Sequence, residues 1–183
     1  MNLNGDSSPD GEPEQRPQYY RPSSREGCTL PGFMGDIGYA QSNRERYEGF
    51  CQALMDAGKT PNPSLCLTTP LGIDSYREEI DSFLSSLSRM PDAFVCASDY
   101  VACILMQLLE KRGLRVPEDV AVSGFDNNIE DLLAENLTTV QVFNEELGSR
   151  LALQILYRIK YPHTPHEVTY LESKVLYRAS TGD

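Results

Sequence analysis

Hydrophobic and polar positions alternate along this chain in blocks that predict strands and helices in turn. The clearest blocks lie in residues 91–126, PDAFVCASDYVACILMQLLEKRGLRVPEDVAVSGFD. AFVCA is a short apolar run of the kind that is buried in a parallel sheet. After this run, apolar residues recur at the spacing of one helix face: Val101, Ile104, Leu105, Leu108 and Leu109. A second apolar run, VAVSGF, comes after Pro117, so this segment predicts strand, helix and strand.

The same alternation continues on both sides of this segment. A first strand ends at Phe33-Met34, where Pro31 indicates an edge strand or an early bulge. Two capping-box patterns, each a Ser followed three residues later by a Glu, predict helix starts at Ser42 and Ser75. Further strands are expected near residues 65–67, 138–142 and 168–178, and a long helix over residues 144–161. Repeated βα units of this kind predict an α/β fold: a mostly parallel sheet flanked by helices on both faces.

Composition divides the chain into two parts. Residues 1–26 are rich in Pro, Gly, Ser and Glu, which predicts a flexible leader. Residues 27–183 are expected to form one domain, because 183 residues with 40% hydrophobic content are enough for a core.

Charge narrows the classes of partner. The chain has 27 acidic and 16 basic residues, for a net charge of −11. A chain this acidic should repel a phosphate backbone, so we expect no DNA binding by this polypeptide alone. It has neither a long apolar span nor a secretion leader, which predicts no membrane contact. Five cysteines without a C-x-x-C pair indicate reduced, buried thiols and a cytoplasmic protein.

Several short patterns together resemble a known family. Residues 91–102, 113–126 and 137–140 resemble the effector-sensing domain of the LacI/GalR family of bacterial transcription regulators. GFMGD at residues 32–36, followed by Ser42-x-x-x-Arg46-x-x-Gly49, resembles the opening of the family's C-terminal subdomain. VLYRAST at residues 175–181 resembles its closing strand. The resemblance runs from about residue 27 to residue 181.

This resemblance implies a periplasmic-binding-protein-like C-terminal subdomain. Members of the family have a helix-turn-helix, a hinge helix and two α/β subdomains that hold the effector between them. The chain is expected to lack the helix-turn-helix and nearly all of the first subdomain. Residues 143–161 correspond to a helix that, in the family, packs on that first subdomain. We therefore expect this helix either to fold differently onto the domain or to be covered by another chain.

Arg46 and Asp126 are the main candidate ligand-binding residues. An Arg on the first turn of a helix after a strand can form two hydrogen bonds to vicinal hydroxyls or a carboxylate, and the resemblance places Arg46 at an effector contact. From spacing alone, a solvated helix-face Arg is the alternative. Asp126 is an acceptor at a strand end and matches the family's ligand-binding Asp. Its alternative is a turn-forming residue.

Ser98 and Ser42 are further candidate ligand contacts. Each stands at a position where the resemblance allows a contact with the effector, and each is also a natural helix N-cap. His163 and His166 stand in a Pro-x-x-Pro segment without further close metal ligands, which favours an exposed loop over a metal site. No phosphate loop, dinucleotide fingerprint or catalytic triad pattern is present, so we expect no cofactor and no enzyme activity.

The resulting hypothesis is an effector-sensing and dimerisation domain of a LacI/GalR-like regulator. Its partners would be a sugar- or nucleoside-like effector, with a carbohydrate as the first choice, and a second copy in a homodimer, with DNA reached only through a separate N-terminal domain. Because Arg46 and Asp126 supply half of a two-lobed clamp, weak or absent sugar binding by this chain is expected. The alternatives are a stand-alone interaction domain that modulates intact regulators, or a fragment of a periplasmic-type sugar-binding protein.

Overall fold

The computed structural model describes residues 29–72, 74–128 and 133–182, so the predicted leader at residues 1–26 lies outside it. Its main helices are α1 (Gln41–Asp56), α2 (Tyr76–Ser86), α3 (Asp99–Lys111) and α4 (Asn144–Lys160). Its strands are β1 (Pro31–Met34), β2 (Cys66–Leu67), β3 (Ala93–Cys96), β4 (Ala121–Ser123), β5 (Thr139–Gln141) and β6 (Lys174–Leu176). Short 3-10 turns cover Pro63–Leu65, Ala134–Asn136 and Ala179–Thr181.

Four strands form one parallel sheet in the order β2-β1-β3-β4. Isolated parallel bridges, Ser123 to Thr138 and Asp126 to Gln141, place the β5 segment next to β4. β5 then pairs with β6 in an antiparallel ladder. The predicted α/β fold with a mostly parallel sheet is confirmed.

The sheet buries a different helix layer on each face, as expected. Alternate residues of a strand point to opposite faces. Phe33 packs with Phe50 and Leu54 of α1, whereas its neighbour Met34 joins the larger core with α2 and α3. Helices therefore cover both faces, and their first turns lie near the carboxyl edge of the sheet.

Pro31 does not mark an edge strand, and that prediction is wrong. β1 lies between β2 and β3, and Pro31 is its first residue, opposite Ala93 of β3. The pairing with β2 begins only at Phe33, opposite Cys66. Proline is tolerated at the first residue of a strand, since the ladder on that side has not yet begun.

The first capping-box prediction is also wrong. α1 begins at Gln41 with Ala40 at the N-cap, so Ser42 lies inside the first turn and caps nothing. The chain turns earlier because the Asp36 carboxylate accepts the backbone N–H groups of Gly38 (2.7 Å) and Tyr39 (3.1 Å). Ser75 does occupy the N-cap of α2, but without a side-chain bond to a helix N–H. Its hydroxyl contacts Glu79 instead.

Cys51, Cys66 and Cys96 are free thiols, in agreement with the sequence. Cys96 and Cys103 are buried, and Cys51 and Cys66 are half-buried. Burial raises the pKa of Cys66 to about 11, so this thiol stays protonated at neutral pH. Cys28 lies outside the described residues. In the described part of the chain, no helix combines the length and apolar character needed to cross a bilayer.

α4 stands apart from both helix layers. None of its residues is buried by the described parts of the chain. Its large apolar side chains are 42% to 72% exposed: Leu147, Leu151, Leu153, Ile155, Leu156, Tyr157 and Ile159. Of the two alternatives expected for this helix, a different packing onto this domain is therefore not observed.

Candidate functional site

The carboxyl edge of the parallel sheet brings together residues from distant parts of the chain. Ala97, Ser98 and Asp99 follow β3 directly, and Phe125 and Asp126 lie just beyond β4. β3 and β4 are neighbours, so these two groups lie side by side. Open α/β sheets bind their ligands at this edge.

Arg46 reaches across this edge from α1. Its Nη2 donates to Asp126 Oδ1 at 3.3 Å, and its Nη1 donates to the carbonyl oxygen of Ala97. The guanidinium carbon lies 3.6 Å from the centroid of the Phe125 ring, a cation–π contact. Arg46 lies in the second turn of α1, not the first, because α1 begins at Gln41. The guanidinium is thus held by an ion pair, a carbonyl and an aromatic face.

Asp126 sits on backbone that non-glycine residues seldom adopt. Its φ angle is 112°, and that of Asn127 is 49°. Positive φ at two consecutive non-glycine residues costs free energy that the surrounding contacts must offset. The Asp126 N–H donates to the Val140 carbonyl at 3.0 Å, which fixes the loop to the β5 segment. Such outliers cluster at ligand sites, so this loop is a candidate site on independent grounds.

Asp99 fixes the same loop through hydrogen bonds. Its Oδ2 accepts the backbone N–H of Asn127 at 2.7 Å, and its Oδ1 accepts the hydroxyl of Thr139 at 2.6 Å. Its own N–H donates to the Phe125 carbonyl at 2.8 Å. The side chain is fully buried. Asp99 therefore positions the turn that carries Asp126.

Arg178 supports the loop from the far end of the chain. Its Nη2 donates to Asn127 Oδ1 at 2.8 Å, and its Nη1 donates to the carbonyls of Ala134 and Leu137, each at 3.0 Å. The Asn127 amide group donates in turn to Gln141 Oε1. The residues beneath Asp126 thus form a connected hydrogen-bond network with few degrees of freedom.

Comparison with known proteins agrees with this arrangement. A family model described as the periplasmic binding protein-like domain matches residues 24–181. The chain belongs to this family. The match covers both the Arg46 and the Asp126 segments, and the resemblance to the effector-binding domain of LacI/GalR regulators is confirmed.

Individual relatives of this periplasmic binding protein-like domain are transcription regulators. DegA, a helix-turn-helix-type transcriptional regulator of Bacillus subtilis, is 34% identical over 117 residues, which cover 63% of this chain and 34% of that protein. A LacI-family transcriptional regulator from Sanguibacter keddieii has a TM-score of 0.71 and 27% identity over 84% of this chain and 58% of the other. The complex of the transcriptional regulator CelR with cellobiose has a TM-score of 0.73 and 27% identity, covering 84% and 47%. The chain spans less than half the length of the curated relatives it matches.

Burial controls the electrostatics of the Arg46–Asp126 pair. It lowers the pKa of Arg46 and raises the pKa of Asp126, because it disfavours both charged forms. The attraction between the two charges offsets this only in part. The side chains remain 17% and 27% exposed, so both are accessible from solvent at the edge. Asp126 Oδ2 accepts no hydrogen bond from the described residues.

Ser98 and Ser42 occupy less direct positions in the domain. Ser98 is the N-cap of α3, and its hydroxyl accepts the Val101 N–H at 3.4 Å. It is adjacent to Ala97, whose carbonyl binds Arg46. Ser42 lies exposed in the first turn of α1, and its hydroxyl makes no hydrogen bond within the described part of the chain. The structure brings Arg46 and Asp126 into contact, whereas ligand contacts by the two serines remain predictions.

Sequence reasoning missed the supporting residues of this site. Asp99 and Arg178 lie in two of the segments that carry the family resemblance, residues 91–102 and 175–181, but the sequence patterns assign neither of them a supporting role. A buried carboxylate needs hydrogen-bond partners, but the sequence alone does not show that Asp99 is buried. Nothing in the local sequence indicates that Arg178 spans the distance to Asn127.

Proposed function

We propose that this domain senses a small polar effector for a transcription regulator, with Arg46 and Asp126 as the ligand-binding pair. The observation that carries this proposal is their 3.3 Å contact at the carboxyl edge, between residues eighty positions apart. The pair presents donors and an acceptor side by side in a partly exposed position. Adjacent hydroxyls of a sugar or a nucleoside match this pattern, since each hydroxyl both donates and accepts.

A carbohydrate effector is the first choice. The charges of Arg46 and Asp126 balance each other, which favours a neutral polyol over an ion. The structurally similar regulator CelR was solved with cellobiose, and this gives a first probe. The domain would act as a cytoplasmic sensor without catalysis: the ligand favours one arrangement of the regulator, and a separate segment contacts DNA.

The decisive experiment compares two Arg–Asp pairs. Arg46→Ala and Asp126→Asn should each weaken cellobiose binding at least about tenfold, since each removes a charged hydrogen-bond partner. The control variants Arg115→Ala and Asp119→Ala remove an exposed ion pair of 3.0 Å elsewhere and should not change the affinity. Binding is measured by NMR titration of the full chain, with circular dichroism to check that each variant folds.

The parent affinity is part of the same test. We expect a dissociation constant of about 1 mM or weaker, because these residues form one side of a two-lobed clamp. Micromolar binding would contradict the prediction that this chain supplies only half of the clamp. If the Arg115 and Asp119 variants lost as much affinity for cellobiose as the Arg46 and Asp126 variants, the assignment of the site would be wrong. The same titration with adenosine distinguishes a nucleoside effector from a sugar.

The exposure of α4 favours a second candidate, an interaction domain that associates through this helix. Its first turn carries Glu145 and Glu146, and its last turn carries Arg158 and Lys160. Antiparallel pairing with a second copy would bring opposite charges together and bury the apolar side chains of both helices. We propose a homodimer of this kind for the chain as it stands. Mixed dimers with an intact regulator would use the same surface.

A further inference from the structure

Asn127 lies between the charged residues that support the Asp126 loop. Its backbone N–H donates to Asp99 Oδ2 at 2.7 Å, and its side-chain Oδ1 accepts from Arg178 Nη2 at 2.8 Å. Its amide NH₂ group donates to Gln141 Oε1. A guanidinium only donates hydrogen bonds, so the amide oxygen must face Arg178 and the NH₂ group must face Gln141. The Asn127 side chain is therefore fixed in one orientation, directly beside Asp126.

The charges around this loop balance each other. The balanced groups are two carboxylates and two guanidinium groups: Asp99, Asp126, Arg46 and Arg178. Burial raises the pKa of Asp126, and the like charge of Asp99 adds to this shift, whereas Arg46 opposes it. Burial likewise raises the pKa of Asp99, which the charge of Arg178 helps to oppose. Glu45 also acts on Arg46, but it is exposed on α1, where water and salt screen its charge.

A carboxylate at residue 127 would remove this balance. An aspartate has nearly the same shape as asparagine and could still accept the Arg178 hydrogen bond, but it could not donate to Gln141. It would also add a negative charge next to Asp99 and Asp126, in a partly buried site where charges interact more strongly than in water. The neutral amide of Asn127 is therefore the feature that leaves the loop without surplus charge.

We propose that Asn127 is a specificity-determining residue of the effector site: its neutral amide keeps the net charge of the site at zero, so that the site favours an uncharged hydroxylated ligand over one with an ammonium group. The proposal rests on the function proposed above and adds a residue that need not touch the ligand. An ammonium group that enters this site loses its hydration, and no surplus negative charge replaces that loss. A hydroxyl loses less hydration and can exchange hydrogen bonds with Arg46 and Asp126.

The test compares a neutral and a charged sugar by NMR titration of the full chain. Glucosamine carries an ammonium group at neutral pH where glucose has a hydroxyl, and the two molecules are otherwise the same. The parent chain should bind glucosamine no more tightly than glucose. Asn127→Asp should shift the ratio of the two affinities towards glucosamine about fivefold or more, because it leaves the site with an unbalanced negative charge. Circular dichroism checks that each variant folds.

Two further variants separate the effect of charge from that of structure. Gln141→Glu keeps an acceptor for the Asn127 amide group and adds a negative charge beside the same loop, so it should shift the ratio in the same direction. It also keeps the test open if Asn127→Asp fails to fold. Asn62→Asp adds the same charge before β2, at the amino edge of the sheet, and an aspartate there can still accept the Ser64 N–H. This control should leave the ratio unchanged, although the whole chain carries a net charge of −11.

Each outcome decides the proposal. If the ratio is the same in Asn127→Asp, Gln141→Glu and the parent, Asn127 is only a structural support, and the specificity proposal is wrong while the sugar-sensing function stands. A parent chain that prefers glucosamine, or an equal shift in Asn62→Asp, would also contradict the proposal. If neither monosaccharide binds at tens of millimolar, the specificity proposal is overturned. If cellobiose also fails to bind, so is the sugar-sensing function.

Discussion

α3 and α4 are both rich in large apolar residues, but only α3 is packed into the domain. Nine of the thirteen residues of α3 are buried, whereas none of the seventeen residues of α4 is buried by the described parts of the chain. The apolar side chains of α4 also lie on more than one side of the helix, because Leu151 and Ile155 form one stripe and Leu153 and Leu156 another. A helix that is apolar all round is normally enclosed. This contrast is the reason for the proposal that another polypeptide segment packs against α4.

The largest expected effect is a difference in stability between matched variants of the two helices. Leu105→Ala in α3 should lower the free energy of unfolding by about 2–5 kcal/mol, because it leaves a cavity in the core. The matched change Leu151→Ala in α4 should alter it by less than about 0.5 kcal/mol in the monomer. Urea denaturation of both variants measures the difference. Equal costs at a protein concentration where the chain is monomeric would mean that α4 packs on its own domain and that the comparison is wrong.

A second effect concerns association through α4. The double change Leu151→Glu and Ile155→Glu should shift the chain towards the monomer, because charged side chains cannot be buried in a helix pair. Light scattering over a range of protein concentrations measures the mass of parent and variant. Leu105→Ala is not a suitable control, so Arg150→Ala, which removes an exposed ion pair within α4, is used instead.

Hydrogen exchange completes this test of α4. A monomeric parent chain in which the α4 amides exchange slowly would contradict the proposed dimer, since the helix would then be protected by its own domain. Fast exchange in the double variant and slow exchange in the parent would support it.

The smallest expected effect is a pH dependence of the free energy of unfolding. Asp99 in the first turn of α3 should contribute to it, whereas the acidic residues in the first turn of α4 should not. Burial raises the pKa of Asp99 at the start of α3, although hydrogen bonds from Thr139 and the Asn127 N–H oppose this shift. The folded state then binds the proton more tightly than the unfolded state. The free energy of unfolding should therefore fall as pH rises from about 4, the unfolded value, through the folded pKa. Burial of Asp126 acts in the same direction.

Asp99→Asn should reduce this slope, because it removes the titrating carboxyl. Glu145→Gln, in the exposed first turn of α4, serves as the control. Denaturation at several pH values measures both variants. A slope that is as steep in Asp99→Asn as in the parent would show that another group causes it.

The sequence predicted the βα order, the parallel sheet and the long helix near residues 144–161, because apolar periodicity reports directly on these elements. It misassigned Pro31 as an edge signal, since the pairing partner of a strand depends on residues far along the chain. It also placed a cap at Ser42, because a local pattern cannot show that Asp36 has already turned the chain. Long-range partners account for both errors.

The candidate site was likewise predicted only in part. Arg46 and Asp126 were predicted as ligand-binding residues from short patterns and a family resemblance, and the structure places them in contact. Their supports were not predicted: Asp99, Asn127 and Arg178 meet only through the tertiary fold. The positive φ angles at Asp126 and Asn127 could not be foreseen either, because asparagine and aspartate suit many turns.

The central claim is that Arg46 and Asp126 bind one ligand together at the carboxyl edge of the sheet. The most direct test follows the backbone amides of the full chain by NMR during a cellobiose titration. We predict shifts concentrated at residues 97–99 and 124–127, and their loss in Arg46→Ala. Shifts elsewhere on the surface, or the same shifts at this edge in Arg46→Ala, would contradict the claim.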